Sequence, residues 1–342
     1  MICPDQKEFL QLSRQGNVVP VWTSVPADLL TPVSAYLKLT QGRATARSSA
    51  QNFSFLLESV EGGETIARYT YMGADPFLIL RFWLPATGGG SGTVAIAEKG
   101  RTRQLQGNLM SAARGLLSSF RPVRVAELPP FTAGAVGYLG YDLVSQMEPV
   151  LLPASGGRKG SRRSMPDATL MFYSTLLVFD HVKHQIIIIR NVRLQEAMSQ
   201  KSLRAAYAQA EREIHRIERK LQAPLALSVQ TSSASSVRLA PSVQSNFTKE
   251  QFEEKVHRAK EHIRAGDIFQ VVLSQRLETR ITVEPFEIYR ALRRVNPSPY
   301  LFFLRMGEDC VLGSSPEMLV KVSGEERSTA PSPGRGLAAK TR

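Results

Sequence analysis

Apolar positions along the chain follow two periods, and each predicts its own set of elements. Phe53, Phe55 and Leu57 alternate with Ser54, Leu56 and Glu58, the period of a strand, so Glu58 stands on the face opposite the aromatics. Val18 to Ser24 reads as an earlier strand, with a candidate helix from Pro32 to Leu39 between the two. Gly62-Gly63 signals a turn, after which Ala67 to Met72 is predicted to return as the second strand of a hairpin. Phe77 to Trp83 and Thr93 to Ala97 follow as strands around a flexible loop from Pro85 to Gly92, and Leu109 to Phe120 is helical in pattern. Pro166 to Asp180 and Gln185 to Asn191 form a hairpin of strong strand propensity. His181 and His184 sit in its turn, where no third metal ligand is near and solvated turn residues are the reading.

The second half switches to the helical period. Leu203, Tyr207, Ala210, Ile214, Ile217 and Leu221 form the apolar stripe of an amphipathic helix ended by Pro224. Residues 223–246, rich in Ser, Pro, Ala and Thr, read as a linker. Thr248 with Gln251 is a capping box opening a helix that carries Phe252, Val256, Ala259 and Ile263 and closes at Gly266. In Asp267 to Arg276 the period returns to two, with Phe269, Val271 and Leu273 facing away from Gln270. Gln270 is then either a polar residue on a solvent face or one lining a cavity. A helix starting at Pro285 with Phe286, Tyr289 and Leu292, then strands at Tyr300 to Arg305 and Cys310 to Gly313, complete an α+β pattern.

Composition narrows the classes. An apolar content of 43% with 21% charged residues is that of a soluble globular protein. Cys3 and Cys310 are too few for a disulfide framework, and the N-terminus lacks a basic region followed by an apolar run, so a cytoplasmic location is expected. No apolar run is long enough for a membrane span. The net charge of +13 comes from scattered residues such as Arg158, Lys159, Arg162 and Arg163, while the Arg204 to Lys220 helix interleaves Glu211, Glu213 and Glu218. That pattern is a solvated face, and nucleic acid is not expected as a partner. The glycines 134, 137 and 140 allow close backbone approach, and no Lys-Ser/Thr pair supports a phosphate cradle.

Several motifs carry a resemblance. Gly266-Asp-Ile-Phe-Gln-Val-Val-Leu-Ser-Gln-Arg276, Asn296-Pro-Ser-Pro-Tyr300 and Gly313-Ser-Ser-Pro-Glu317 resemble the chorismate-utilising enzymes. Arg68-Tyr-Thr-Tyr-Met-Gly-Ala-Asp-Pro76, Gly134-Ala-Val-Gly-Tyr-Leu-Gly-Tyr-Asp142 and Pro166-Asp-Ala-Thr through Lys183 are similar to the N-terminal region of anthranilate synthase component I. The resemblance implies an α/β sandwich of two sheets, incomplete here, and conversion of chorismate to anthranilate and pyruvate with Mg2+. It also implies ammonia delivered by a glutamine amidotransferase partner subunit. Relatives that add water carry a lysine where Gln270 stands, and an amide cannot deprotonate water. Gln270 is therefore the pocket candidate and points to an amine nucleophile. The resemblance further implies L-tryptophan as inhibitor, bound by Leu56-Leu-Glu-Ser59 through Glu58 and Ser59 and closed by Pro299, Tyr300 and Leu301. An indole needs an apolar slot, and the amino-acid head needs a carboxylate and hydrogen-bond partners.

The expected domains are 18–222 as the component I N-terminal region, 223–246 as linker, 247–327 as the first part of the chorismate-binding domain, and 328–342 as a disordered tail. After Val322 the text departs from the family pattern. Codons allowed for Thr329 to Ala339, read in the neighbouring frame, spell Arg-Pro-Ile-Ala-Gly-Thr-Arg-Pro-Arg-Gly, so a frameshift near Thr329 with early termination is expected. The alanine of that shifted reading cannot be lysine, which favours anthranilate over aminodeoxychorismate as product. The family's Mg2+ ligands and catalytic histidine are then expected beyond this chain, leaving it catalytically incompetent. The alternatives are an aminodeoxychorismate synthase component I and a non-catalytic remnant that binds tryptophan or the partner subunit.

Overall fold

The computed structural model describes residues 1–41, 52–59, 68–85, 90–148, 165–225, 243–323 and 326–329. Contacts divide the chain into two units, Met1–Ala226 with Tyr289–Arg342, and Leu227–Ile288.

The first unit is built on two antiparallel sheets. Its strands are β1 (Val18–Pro26), β2 (Phe53–Glu58), β3 (Tyr69–Ala74), β4 (Leu78–Trp83), β5 (Gly92–Glu98), β6 (Arg101–Gly107), β7 (Gly134–Leu139), β8 (Ala168–Tyr173), β9 (Thr175–Asp180), β10 (Gln185–Arg193), β13 (Tyr300–Met306) and β14 (Asp309–Ser315). Seven of them form one sheet in the order β1-β10-β9-β3-β2-β13-β14, and five form the other in the order β6-β5-β4-β8-β7. Phe53, Phe55, Leu304 and Met306 of the first sheet pack in one buried cluster with Ile79, Val136, Met171 and Tyr173 of the second. The rings of Phe55 and Tyr173 meet edge to face at 4.9 Å across this layer. This is the expected two-sheet sandwich with mixed α/β content.

Helices cover the outer faces. The helices α1 (Gln6–Leu12), α2 (Pro32–Thr40) and α4 (Gln200–Gln222) lie on the seven-stranded sheet, and α3 (Leu109–Ser118) on the five-stranded one. The predicted stripe of α4 is the buried one, with Tyr207, Ala210, Ile214, Ile217 and Leu221 all covered. An isolated helix gains little from propensity alone, and burying each such Ile or Leu contributes about 1.5–3 kcal/mol, so packing on the sheet decides the helix.

Three expectations need correction here, and one strand had not been expected at all. Pro166 to Asp180 is not one strand, because the chain leaves the five-stranded sheet after Tyr173 and enters the seven-stranded one at Thr175. Arg190 Nη1 secures the crossing by donating to Ser174 Oγ at 2.7 Å and Thr175 Oγ1 at 2.9 Å. Residues on both sides of Ser174 are apolar on both faces, so alternation gave no warning. Strand β6 had no periodic signal because its residues are almost all exposed on an edge. His181 is not a solvated turn residue: it is half-buried, its Nε2 lies 2.9 Å from Thr70 Oγ1, and its ring stacks on Phe179. The predicted disorder from residue 328 also fails at its start, since Ser328 and Thr329 pair with Lys321 and Val320 in a hairpin of β15 (Val320–Ser323) and β16 (Glu326–Thr329). Backbone pairing there needs no apolar periodicity. Residues 330–342, which hold the rest of the frameshift expectation, lie outside the described residues, as do the turn at Gly62-Gly63 and linker residues 226–242.

The second unit contains α5 (Lys249–Ala265), opened by the reciprocal Thr248–Gln251 capping box and closed by Gly266 at φ 80°. The strand expected over Asp267 to Arg276 is absent. Among the described residues of this unit only β12 (Leu277–Glu278) pairs, with β11 (Gln244–Ser245), which begins before the end of the expected linker. No described strand pairs with residues 267–276, and a lone strand leaves its N–H and C=O groups to water. Phe269 and Val272 are accordingly 88% and 83% exposed.

Candidate functional site

Strands β2 and β13 are neighbours, and their register brings the two sequence-predicted segments together. Glu58 lies opposite Leu301, and Leu57 opposite Phe302. Because side chains alternate, these two pairs point to opposite faces of the sheet.

Leu57 and Phe302 point inward, toward the second sheet. With Tyr71, Leu304 and Val311 they face Phe131 and the strand β7 residues Ala135 to Tyr138 across an apolar cleft of about 600 Å3. That volume is within the range of small-molecule pockets. Gly137 keeps the β7 wall in place, since a Cβ there would lie 1.8 Å from the carbonyl oxygen of Thr169. Tyr71 stands edge-on to Phe131 at 5.6 Å. Burial pushes its hydroxyl up to about 12, so it stays a neutral donor. Tyr138 is likewise raised by burial, and its hydroxyl donates to the carbonyl of Pro166. Ser59 is the first residue past β2 and half-buried. Continued alternation puts it on the Leu57 face, and Tyr300 on the Phe302 face.

Glu58 and Leu301 point the other way. The Glu58 carboxylate is 2% exposed and accepts from Tyr289 Oη at 2.5 Å and from Arg293 Nε at 3.1 and 3.3 Å. Both donors stand on helix α6 (Pro285–Val295), four residues apart and therefore on one helix face. Burial and the Glu58 charge drive the Tyr289 phenol far above its ordinary range. The Tyr289 ring meets Phe303 at 5.7 Å, and Phe303 meets Tyr36 at 5.8 Å. Alongside, burial lowers the His181 imidazole against the opposing charges of Glu58 and Asp180. Burial raises Asp180, but its bonds from Arg68, Lys183 N and Val182 N outweigh that and hold it below the usual carboxylate range.

The structure thus gathers Glu58, Ser59, Tyr300 and Leu301 at adjoining strand ends, with Pro299 half-buried just before β13. Gln270 lies in the second unit, exposed and in a stretch that forms no strand. Sequence reasoning missed Tyr289 and Arg293 as partners of Glu58. The available signal was an arginine seven residues after Phe286 and four after Tyr289, on the helix face read as apolar. Among the described residues no group of three or more His, Cys, Asp or Glu side chains is placed to hold a metal ion. The described residues therefore do not make an Mg2+ site.

Residues 81–334 match the family described as chorismate binding enzyme. The chain belongs to that family. It is 39% identical over 330 residues to anthranilate synthase component 1 of Synechocystis sp., covering 94% of this chain and 60% of that protein. Against anthranilate synthase component 1 of Acetivibrio thermocellus it is 36% identical, covering 100% of this chain and 65% of the relative. The crystal structure of anthranilate synthase component I from Streptococcus pneumoniae aligns with a TM-score of 0.54 at 26% identity, over 89% of this chain and 60% of that one. This chorismate-binding family member thus spans about three fifths of the length of these relatives. Among the described residues no helix is long and apolar enough to cross a membrane.

Proposed function

We propose that this chain is a large subunit of the anthranilate synthase type, and that its described residues supply the tryptophan-sensing cleft of that enzyme. The inter-sheet cleft carries the reading. It is apolar and about 600 Å3, with Leu57 and Phe302 in its wall, and strand alternation sets Ser59 on the Leu57 face of β2 and Tyr300 on the Phe302 face of β13, two residues from that wall. An indole fits such a slot, whose walls include the Tyr71 and Tyr138 rings, and the hydroxyl and backbone groups at the strand ends suit an amino-acid head. Pro299 and Leu301 shape the closing segment. The Glu58 carboxylate serves the site from behind, because Tyr289 and Arg293 already occupy it.

The proposed reaction of the complete enzyme is chorismate plus ammonia to anthranilate and pyruvate, with ammonia supplied by a glutamine amidotransferase partner in the cytoplasm. Mg2+ would supply charge stabilisation at the chorismate carboxylate in such enzymes. The described residues do not fit that ion. Titration calorimetry of the 342-residue chain with L-tryptophan tests the sensing role. Micromolar binding is expected, and no heat at millimolar ligand refutes it. Incubation with chorismate, Mg2+ and ammonium is expected to give no anthranilate fluorescence. Turnover would overturn the division of labour.

A further inference from the structure

On the sheet face opposite the cleft, Tyr289 and Arg293 brace the Glu58 carboxylate. Strand β2 ends at Glu58, and Ser59 follows it directly. A strand end with no anchor frays, and a frayed end cannot hold a hydroxyl in one place. Here the last strand residue places a nearly fully buried carboxylate between a phenol and a guanidinium, which fix it by three hydrogen bonds of 2.5, 3.1 and 3.3 Å. The phenol is fixed in turn, because its ring packs edge-on to Phe303 of β13, the strand that carries Tyr300. Helix α6 thus holds β2 at its last residue and packs on β13 at Phe303, three residues from Tyr300. Charge matters as well as geometry. A Glu58 carboxylate neutralised by Arg293 has little reason to turn toward a ligand ammonium, since leaving would strand a buried charge.

Resting on the tryptophan reading, we infer that Tyr289 and Arg293 are positioning residues. They hold Glu58 on the helix side so that Ser59 and Tyr300 meet the amino-acid head of the ligand, while touching neither the head nor the indole. The brace governs the head alone. The indole slot is walled by Leu57, Tyr71, Phe131 and Phe302, on the sheet face opposite Glu58.

The test compares L-tryptophan with indole, which lacks the amino-acid head, by calorimetry on the whole chain and on Tyr289→Phe, Arg293→Met, Arg293→Lys and Ser59→Ala. Tyr289→Phe and Arg293→Met are expected to weaken tryptophan at least tenfold and leave indole within twofold. Arg293→Lys, which keeps the charge beside Glu58, restores most of the tryptophan affinity. A purely structural role would weaken both ligands together, and that outcome overturns the inference. So does unchanged tryptophan affinity in both brace variants while Ser59→Ala loses it, an outcome that leaves the cleft itself standing. A wild-type chain that ignores tryptophan removes the cleft reading and the brace with it. Should Arg293→Met not fold, Tyr289→Phe removes one hydroxyl only and decides the matter by the same criteria.

Discussion

Arg293 Nε reaches both carboxylate oxygens of Glu58, at 3.1 and 3.3 Å, across 235 positions of sequence. The pair welds a strand from the start of the chain to a helix near its end. Removing one partner leaves the other charge short of its counter-ion in a mostly dry site. Glu58→Ala is therefore expected to destabilise the first unit by about 3 kcal/mol, and Glu58→Gln by less because it keeps an acceptor for Tyr289. Urea denaturation of the three proteins checks the ranking. Equal midpoints for all three would contradict it.

Gly137 faces the Thr169 carbonyl with room for no Cβ. Gly137→Ala must push β7 away from β8, at a cost of about 1–3 kcal/mol for the forced repacking. The β7 wall of the cleft moves with it, so tryptophan and indole should both bind more weakly, unlike in the brace variants. Thermal melting and calorimetry together read this out.

His181 gives the first unit an acid-side sensitivity. Burial lowers its folded-state affinity for a proton, with Arg293 and His184 acting in the same direction and Glu58 and Asp180 opposing. A histidine whose folded value is depressed contributes stability that is present above its unfolded value near 6.5 and is lost as pH falls through the lower folded value. His181→Gln, which keeps a partner for Thr70, is expected to show a smaller drop in urea midpoint between pH 7 and pH 5 than the wild type. An unchanged drop would place the sensitivity elsewhere.

Gln270 is exposed in a segment with no strand partner among the described residues. Gln270→Ala is expected to change stability by no more than about 0.5 kcal/mol and tryptophan affinity not at all. A larger loss of either would show that this residue is packed after all.

Much of the sandwich was legible because its local rules agree with its packing. The stripe of α4 from Tyr207 to Leu221, the Thr248–Gln251 capping box and the Gly266 stop are all short-range patterns, and each stands where periodicity put it. The alternation of Phe53, Phe55 and Leu57 against Glu58 also fixed which face of β2 Glu58 would occupy. Other features depend on residues far apart in sequence. The residues on either side of Ser174 are apolar on both faces, so only the packing of two sheets reveals that the chain changes layers there. The segment around Gln270 has the alternation of a strand, yet a strand exists only when a neighbour takes up its hydrogen bonds.

By itself the sequence determined the kinds of elements and their order, while the pairing of β2 with β13 that sets Glu58 opposite Leu301 came only from the fold. Tertiary structure alone decided what Glu58 does. Its carboxylate is directed by a phenol and a guanidinium more than 230 residues away, and no local pattern encodes which of two faces offers a buried charge its partner.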